Sequence, residues 1–516
     1  MQDRLSTGDR DRVESVIVVG GGSAGWMAAT YLARVLSRQT RITLVESSEI
    51  GVVGVGEATI PPIRTFNRFV GVDEQAFLRD TQGSFKIGIE FENWGAIGEN
   101  YLHPFGVVGR EMDAVVKLHH WWRLGLSAGE PDYPAWEDVY LARAAADRQA
   151  FQLPGPPAGN PGQRLIRAYH FDAVAYGRHL RELAMSRGVE RVEGTIEEVE
   201  RDGESGNVST LVLEDGRRLS ADFFVDCSGF RSLLLGGALE EPFDDWSHWL
   251  PADRALAVPS ERSADGILPI TRSIAHPVGW QWRIPLQHRT GNGHVFASSF
   301  SSESEAEERL LATLDTPPID SPRLIRFRTG RRQRSWVNNV VGLGLAAGFL
   351  EPLESTSIHL VQSGIERLVG LFPSRHMDPA LRDRFNAQSQ HEWSQVRDFI
   401  IAHYKVTRRD DSEFWRYCAS MEIPDSLAQV LDLWGRHGIL GVDGGHLFQL
   451  GSWAAILIGQ GLVPQVPHAL TDRLDPGQAA ADIRAVVAAV RRQAATMPAH
   501  DQFLAQYAPA PAGAGD

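Results

Sequence analysis

Val16-Ile17-Val18-Val19-Gly20-Gly21-Gly22-Ser23-Ala24-Gly25-Trp26-Met27-Ala28-Ala29-Thr30 is the stretch whose reading decides the fold. Four consecutive β-branched apolar residues read as a buried parallel strand. Gly20, Gly22 and Gly25 then fall in the G-x-G-x-x-G spacing, and a helical run follows through Leu36. Glycine allows the tight bend and a close backbone approach to a pyrophosphate, while the start of the helix offers N–H groups and positive partial charge. A second strand, residues 41–45, ends at Glu46, about 20 residues after the turn, where a carboxylate meets a ribose hydroxyl. Strand, turn, helix and acid in this order predict an α/β protein with a Rossmann-like dinucleotide-binding module, over the alternative of an ordinary glycine-rich turn.

The rest of the composition sets bounds. A chain of 516 residues can bury a large core, and its 43% hydrophobic and 22% charged residues are ordinary for a globular protein. A formal net charge of -14 argues against nucleic acid as the main partner, because phosphate binding needs a basic surface. Cys227 and Cys418 are the only cysteines, too few for a disulfide framework or a cysteine-rich metal site, and they fit a reducing cytoplasm. No metal site is expected. Residues 1–14 are too polar for a signal peptide and read as a flexible N-terminus, and no apolar run is long enough to cross a bilayer.

Beyond Glu46, the run Gly51-Val52-Val53-Gly54-Val55-Gly56-Glu57-Ala58-Thr59 reads as a loop laid against a ligand. Short helices are expected over 62–69 and 74–80. Alternation from Phe85 puts Lys86 on the strand face opposite Phe85 and Ile87, ordinarily a solvated face. Residues 100–106, with His103 and Phe105, read as a loop. Residues 130–162 read as an insertion with a helix inside it, 171–187 as an amphipathic helix, and 190–199 with 208–213 as a hairpin. Residues 223–226 return to the dinucleotide sheet. Trp280, Trp282 and Ile284 share one face of a strand. Residues 336–346 read as one apolar strand. Glu354 and Ser355 then stand at the mouth of a helix running to about Leu371, where Ser355 reads as an N-cap and the N–H groups of Thr356 and Ser357 are free for an anion. Helices are expected over 379–404, 426–435 and 476–497.

The order Gly20-x-Gly22-x-x-Gly25, Gly54-Val55-Gly56-Glu57-Ala58-Thr59, Lys86, Trp280-Gln281-Trp282-Arg283-Ile284-Pro285 and Glu351-Pro352-Leu353-Glu354-Ser355-Thr356 resembles the flavin-dependent tryptophan halogenases over nearly the whole chain. Trp-x-Trp-x-Ile-Pro is the motif that separates that family from ordinary flavin monooxygenases. The resemblance implies a FAD-binding module of the flavin monooxygenase type with mixed sheets, and a largely helical part that builds an aromatic substrate pocket. It divides the chain into a halogenase core over 15–375 with substrate-pocket insertions at 62–165, a helical part over 376–507 and a disordered tail over 508–516. It also implies that a separate flavin reductase supplies FADH2, that O2 and chloride or bromide yield hypohalous acid at the flavin, and that a tunnel leads to Lys86.

Site residues follow from the same matching. FAD falls on Gly21, Ala24, Ser47, Ile50, Val53, Val55, Ala58, Leu345 and Ile358, beside the glycines of the turn and Glu46. Halide falls on the backbone of Thr356 and Ser357, the latter standing where the family commonly has glycine. Lys86 acts on the oxidant as hydrogen-bond donor or as haloamine, and Glu354 polarises the oxidant or takes the ring proton. Trp280 and Trp282, in the motif completed by Ile284 and Pro285, screen the flavin from the organic substrate. His103, Phe105, Phe414 and Trp415 match residues that hold an indole-type ring by stacking, and Tyr404 falls among the substrate-binding residues. Free-tryptophan enzymes tend to carry Tyr-Tyr and Arg-Glu-Asp where this chain has His403-Tyr404 and Arg409-Asp410-Asp411, so tryptophan and other indoles both remain open as substrates. A homodimer is the open assembly. The competing readings are an NAD(P)H-dependent flavin aromatic hydroxylase and a non-enzymatic flavin-binding module.

Overall fold

The computed structural model describes residues 11–36, 39–47, 56–106, 108, 112, 115–155, 164–441 and 445–511. Ser15–Val19 is the expected buried strand, and Ser23–Val35 the helix that leaves it. The strand pairs in parallel with Arg41–Glu46 on one side and Phe223–Asp226 on the other. This sheet runs, from one edge, through Trp336–Val337, Val340–Gly342, Phe223–Asp226, Ser15–Val19 and Arg41–Glu46 to Glu190–Glu193. The Ser23–Val35 helix packs between the sheet and the Ala173–Ser186 helix.

Two strand expectations need correction. Residues 190–199 are not one hairpin arm: Glu190–Glu193 extends the dinucleotide sheet, whereas Ile196–Arg201 pairs antiparallel with Val208–Leu213 in a separate sheet. Residues 336–346 are likewise two short antiparallel strands followed by a helical turn, because Asn338 turns the chain back in a left-handed conformation (φ 49°).

A second, seven-stranded sheet holds Trp280–Pro285 between Thr271–Ala275 and Arg289–Phe296. Its edge strand, Asn100–Pro104, corrects the loop expected there; alternation is masked because four of its five residues are buried. Gly88–Glu92 joins this edge to the rest. A third sheet, Gly56–Ala58, Ala168–Asp172 and Ser84–Lys86, packs through Gly56–Ala58 against the Trp280–Pro285 and Arg289–Phe296 strands.

The helices Pro379–Lys405, Glu413–Ser420, Asp425–His437, Leu450–Gly459, Pro476–Ala494 and His500–Tyr507 form the C-terminal part. No helix among the described residues is long and apolar enough to cross a membrane. Ala508, where a free tail is expected to begin, is instead buried, with its carbonyl accepting from Gln287 Nε2 at 3.1 Å.

Candidate functional site

A cavity and a cluster of buried charged side chains meet at residues 354 and 355. The cavity, of about 440 Å³, lies beside the glycine-rich turn and is within the size range of cofactor sites. Gly20, Gly21, Gly22, Ala24, Glu46, Ser47, Ala58, Leu345 and Ile358 line it, and Trp280, Trp282 and Ile284 form part of its wall. Pro285, the end of that motif, is tied down through its carbonyl, which accepts from Ser84 Oγ at 2.6 Å. Ile50, Val53 and Val55 lie outside the described residues.

Gly25 lies beneath the turn rather than on the cavity, and a Cβ there would stand 1.8 Å from the Gly20 carbonyl oxygen. A Cβ on Gly21 would stand 1.6 Å from Glu46 Oε2, so glycine is what allows the acid to lie against the turn. Glu46 is fixed there by the Trp26 indole N–H at 3.3 Å and the Arg191 guanidinium. Its remaining lone pairs can still accept from a ribose. A backbone cradle, a fixed carboxylate and a largely apolar wall fit FAD. Gly25→Ala is expected to weaken FAD binding by roughly tenfold or more, since over-packing costs about 1–3 kcal/mol; a flavin fluorescence titration reads it.

The cluster surrounds Lys86, which is fully buried, against the solvated face expected for it. Alternation gives the face correctly but not what covers it. On one face of this strand Phe85 packs against Phe151 and Phe503, and the other face, with Lys86, is covered by residues 351–355. Lys86 Nζ donates to Ser355 Oγ at 2.8 Å and lies 5.3 Å from the centre of the Phe105 ring. Burial lowers its proton affinity from the ordinary 10.5 to about 7, against the opposing pull of the Glu354 and Glu57 carboxylates. Glu57 lines the first cavity, and burial pushes its own carboxyl up to about 7.

Glu354 is fully buried as well. His103 Nδ1 donates to it at 2.9 Å, and His403 Nε2 lies 2.8 Å from its other oxygen. His403 is oriented by its Nδ1–H, which donates to the Phe399 carbonyl at 2.9 Å. Burial alone would raise the Glu354 carboxyl, but the two histidines outweigh it and hold the group down at about 2. The site therefore pairs an acid kept as carboxylate with an amine poised to lose its proton near neutrality.

Ser355 stands between the cavity and the cluster. It adopts a left-handed backbone (φ 56°), which costs a non-glycine residue about 1–2 kcal/mol. That turn lets Glu354 face the histidines while Ser355 lines the first cavity and accepts from Lys86. Ser355 is thus a bridge rather than the N-cap expected. Thr356 occupies the N-cap position of the Ser357–Gly370 helix and makes no side-chain cap. Its N–H and that of Ser357 belong to the first turn, where no intrahelical acceptor exists, and Ser357 lines the first cavity.

Lys86 also predicts a stability effect. Between about pH 7 and 10.5 the unfolded chain holds the lysine proton and the folded chain does not, so its contribution becomes more favourable as pH rises. Below 7 the full cost of burial is present. Lys86→Met is expected to raise stability at pH 6–7, on the order of a few kcal/mol, with the gain vanishing above about pH 10.5; thermal unfolding across pH checks it.

The aromatic residues divide differently from expectation. His103 stands beside Glu354 and Phe105 beside Lys86. Phe414, Trp415 and Tyr404 are fully buried among other side chains. Trp415 is enclosed by Trp94, Tyr404 and the Arg409 guanidinium, Phe414 packs on Phe300, and the Tyr404 hydroxyl donates to Glu351 at 2.7 Å. The rings that approach His103 are Phe399 and Phe448, stacked on each other at 3.7 Å. Sequence reasoning missed both, as well as the contacts of His403 and Ser355. The i, i+4 spacing of Phe399 and His403 on one helix was the one available signal.

The model of the tryptophan halogenase family matches residues 15–476. Among curated proteins, tryptophan 7-halogenase RebH of Lentzea aerocolonigenes is 34% identical over 96% of this chain and 99% of its own length. Among solved structures, the flavin-dependent halogenase Xcc4156 from Xanthomonas campestris is 43% identical with a TM-score of 0.92, covering 97% of this chain and 99% of that one. The flavin-dependent halogenase BrvH from Brevundimonas sp. BAL3 is 42% identical with a TM-score of 0.92, covering 96% of this chain and 99% of that one.

Proposed function

Because this chain belongs to the tryptophan halogenase family and is a flavin-dependent halogenase, we propose that hypohalous acid made in the flavin cavity passes internally by Ser355 to Lys86 for chlorination or bromination of an indole-type ring. The observation that carries this reading is the 2.8 Å contact between buried Lys86 and Ser355, a residue that lines the flavin cavity. When bound, FAD supplied as FADH2 by a separate reductase furnishes the two electrons that activate O2 for oxidation of halide. The N–H groups of Thr356 and Ser357 hold the halide at the positive end of their helix. Trp280 and Trp282 wall off the organic substrate.

Lys86 receives the oxidant, by hydrogen bond from its ammonium or by forming the haloamine from its free amine. Glu354, held as an anion, accepts the proton that the halogenated ring loses. His103, Phe105 and the Phe399–Phe448 stack supply aromatic surface for a flat ring. His403, Tyr404 and Arg409 stand where free-tryptophan enzymes grip the amino-acid end, yet here they contact Glu354, Glu351 and Asp411. This supports recognition through the indole ring itself.

The test is mass spectrometry of indole, tryptophan and larger indoles incubated with a flavin reductase and chloride or bromide. A product with the halogen isotope pattern supports the reading. Hydroxylated product carrying labelled oxygen, with no need for halide, overturns it in favour of the flavin hydroxylase.

A further inference from the structure

Two hydroxyls on the wall of the flavin cavity have no part in the reaction above. Thr271 and Ser273 stand two residues apart on the Thr271–Ala275 strand, and both line the cavity. Ser273 pairs directly with Trp282, so the two hydroxyls share the face that carries Trp282 and Ile284. The Trp282 indole leans away from them, over Gly293 of the Arg289–Phe296 strand, where a Cβ would stand 2.0 Å from the ring. Ser273 is fully buried and its Oγ has no hydrogen-bond partner in the protein. A buried hydroxyl left in that state points to a guest that completes it.

Thr271 is set differently, by a chain of hydrogen bonds that reaches it through His170. Ser84 Oγ commits its one hydrogen to the Pro285 carbonyl at 2.6 Å, so it can only accept from His170 Nδ1–H, at 3.1 Å. His170 is fully buried, and burial beside Lys86 keeps its ring neutral. Its Nε2 therefore carries no proton and accepts the Thr271 hydroxyl at 2.8 Å. All three hydrogens of the chain point away from the cavity. Thr271 Oγ1 is left with only lone pairs to offer a guest, while Ser273 still has a hydrogen to give.

An acceptor and a free donor on an otherwise apolar wall suit a small neutral hydroxylic molecule. Alternate positions of a strand are about 7 Å apart, so two side chains leaning together can share one oxygen. Hypohalous acid meets these terms: its O–H donates to Thr271, its oxygen accepts from Ser273, and its polarisable halogen lies against Trp282 and Ile284. A halide ion is disfavoured at this place, because Thr271 has no hydrogen for it. We propose that Thr271 and Ser273 form a binding site for hypohalous acid on the cavity wall, with His170 as the positioning residue that fixes the Thr271 hydroxyl as an acceptor. The site keeps the oxidant inside the protein on its way to Lys86, which shares a sheet face with Ser84 and His170. The inference rests on the internal delivery proposed above.

The experiment compares Thr271→Val, Thr271→Ser, Ser273→Ala and His170→Phe with wild type, using reduced FAD, bromide and indole. It measures brominated indole per FADH2 consumed, together with hypobromous acid caught by a trap in solution, and a fluorescence titration gives the FAD affinity of each protein. Valine keeps the shape of threonine without its hydroxyl. Product per FADH2 is expected to fall roughly two- to tenfold in Thr271→Val and in Ser273→Ala, the size of one lost hydrogen bond, with trapped oxidant rising to match. FAD affinity is expected to stay unchanged and Thr271→Ser to behave as wild type. His170→Phe is expected to lose as much as Thr271→Val, and the double variant no more than either. Wild-type coupling in Thr271→Val or in Ser273→Ala overturns the inference, as does a slower rate with unchanged coupling. A matching loss of FAD affinity overturns it as well, since the hydroxyls then serve the cofactor. Should His170→Phe not fold, the other three variants decide. A wild type that makes neither brominated indole nor hypobromous acid overturns instead the reading on which this inference rests.

Discussion

Lys86→Ala is expected to cut halogenated product by roughly 10²- to 10⁴-fold, the range for loss of a positioned proton-transfer group, while flavin oxidation and hypohalous acid formation continue. The flavin cavity keeps all the residues that line it, because Lys86 is not among them. What disappears is the buried amine that contacts Ser355. Oxidant then accumulates without a receiver and is caught by a trap in solution. Measuring product and trapped oxidant in the same vessel separates this outcome from loss of flavin binding, which removes both. An alanine variant that halogenates like wild type would show that Lys86 has no such role.

Glu354→Gln is expected to lower product formation by roughly 10²- to 10³-fold, with oxidant formation again intact. Glutamine preserves the volume but cannot take a proton, and it presents the His103 donor and the nearby His403 ring with an amide in place of an anion. Loss of the ring proton then becomes slow. A substrate deuterated at the halogenated carbon should show a kinetic isotope effect in the variant that is small or absent in wild type. Wild-type rates in Glu354→Gln would assign the proton to another acceptor.

How much of this was legible in the sequence follows from the range of each interaction. The glycine-rich turn was legible because strand, turn and helix lie within about twenty residues, and the spacing encodes the geometry directly. The Trp280-Trp282-Ile284 face was legible for a similar reason: the two-residue period of a strand puts all three on the cavity. Lys86 is proposed as a site residue only through resemblance. Its partner Ser355 is 269 residues away, and periodicity names a face without naming its cover. His403 was read as part of a dipeptide that departs from the family pattern; that it turns inward to Glu354 depends on the packing of its whole helix against the sheet. For Phe414 and Trp415 the sequence does not show what packs around them. A Phe-Trp pair looks like a stacking platform in sequence, yet Trp94, Tyr404 and Phe300 already occupy its surfaces.

The central claim is that the oxidant never leaves the protein between the flavin cavity and Lys86. Its most direct test is single-turnover bromination of indole by wild-type enzyme preloaded with reduced FAD, with and without a large excess of a macromolecular thiol scavenger too big to enter the protein. Internal delivery predicts the same yield of brominated indole per flavin in both arms. A yield that falls toward zero as scavenger is added would mean that free hypobromous acid crosses bulk solvent, and the account would be wrong.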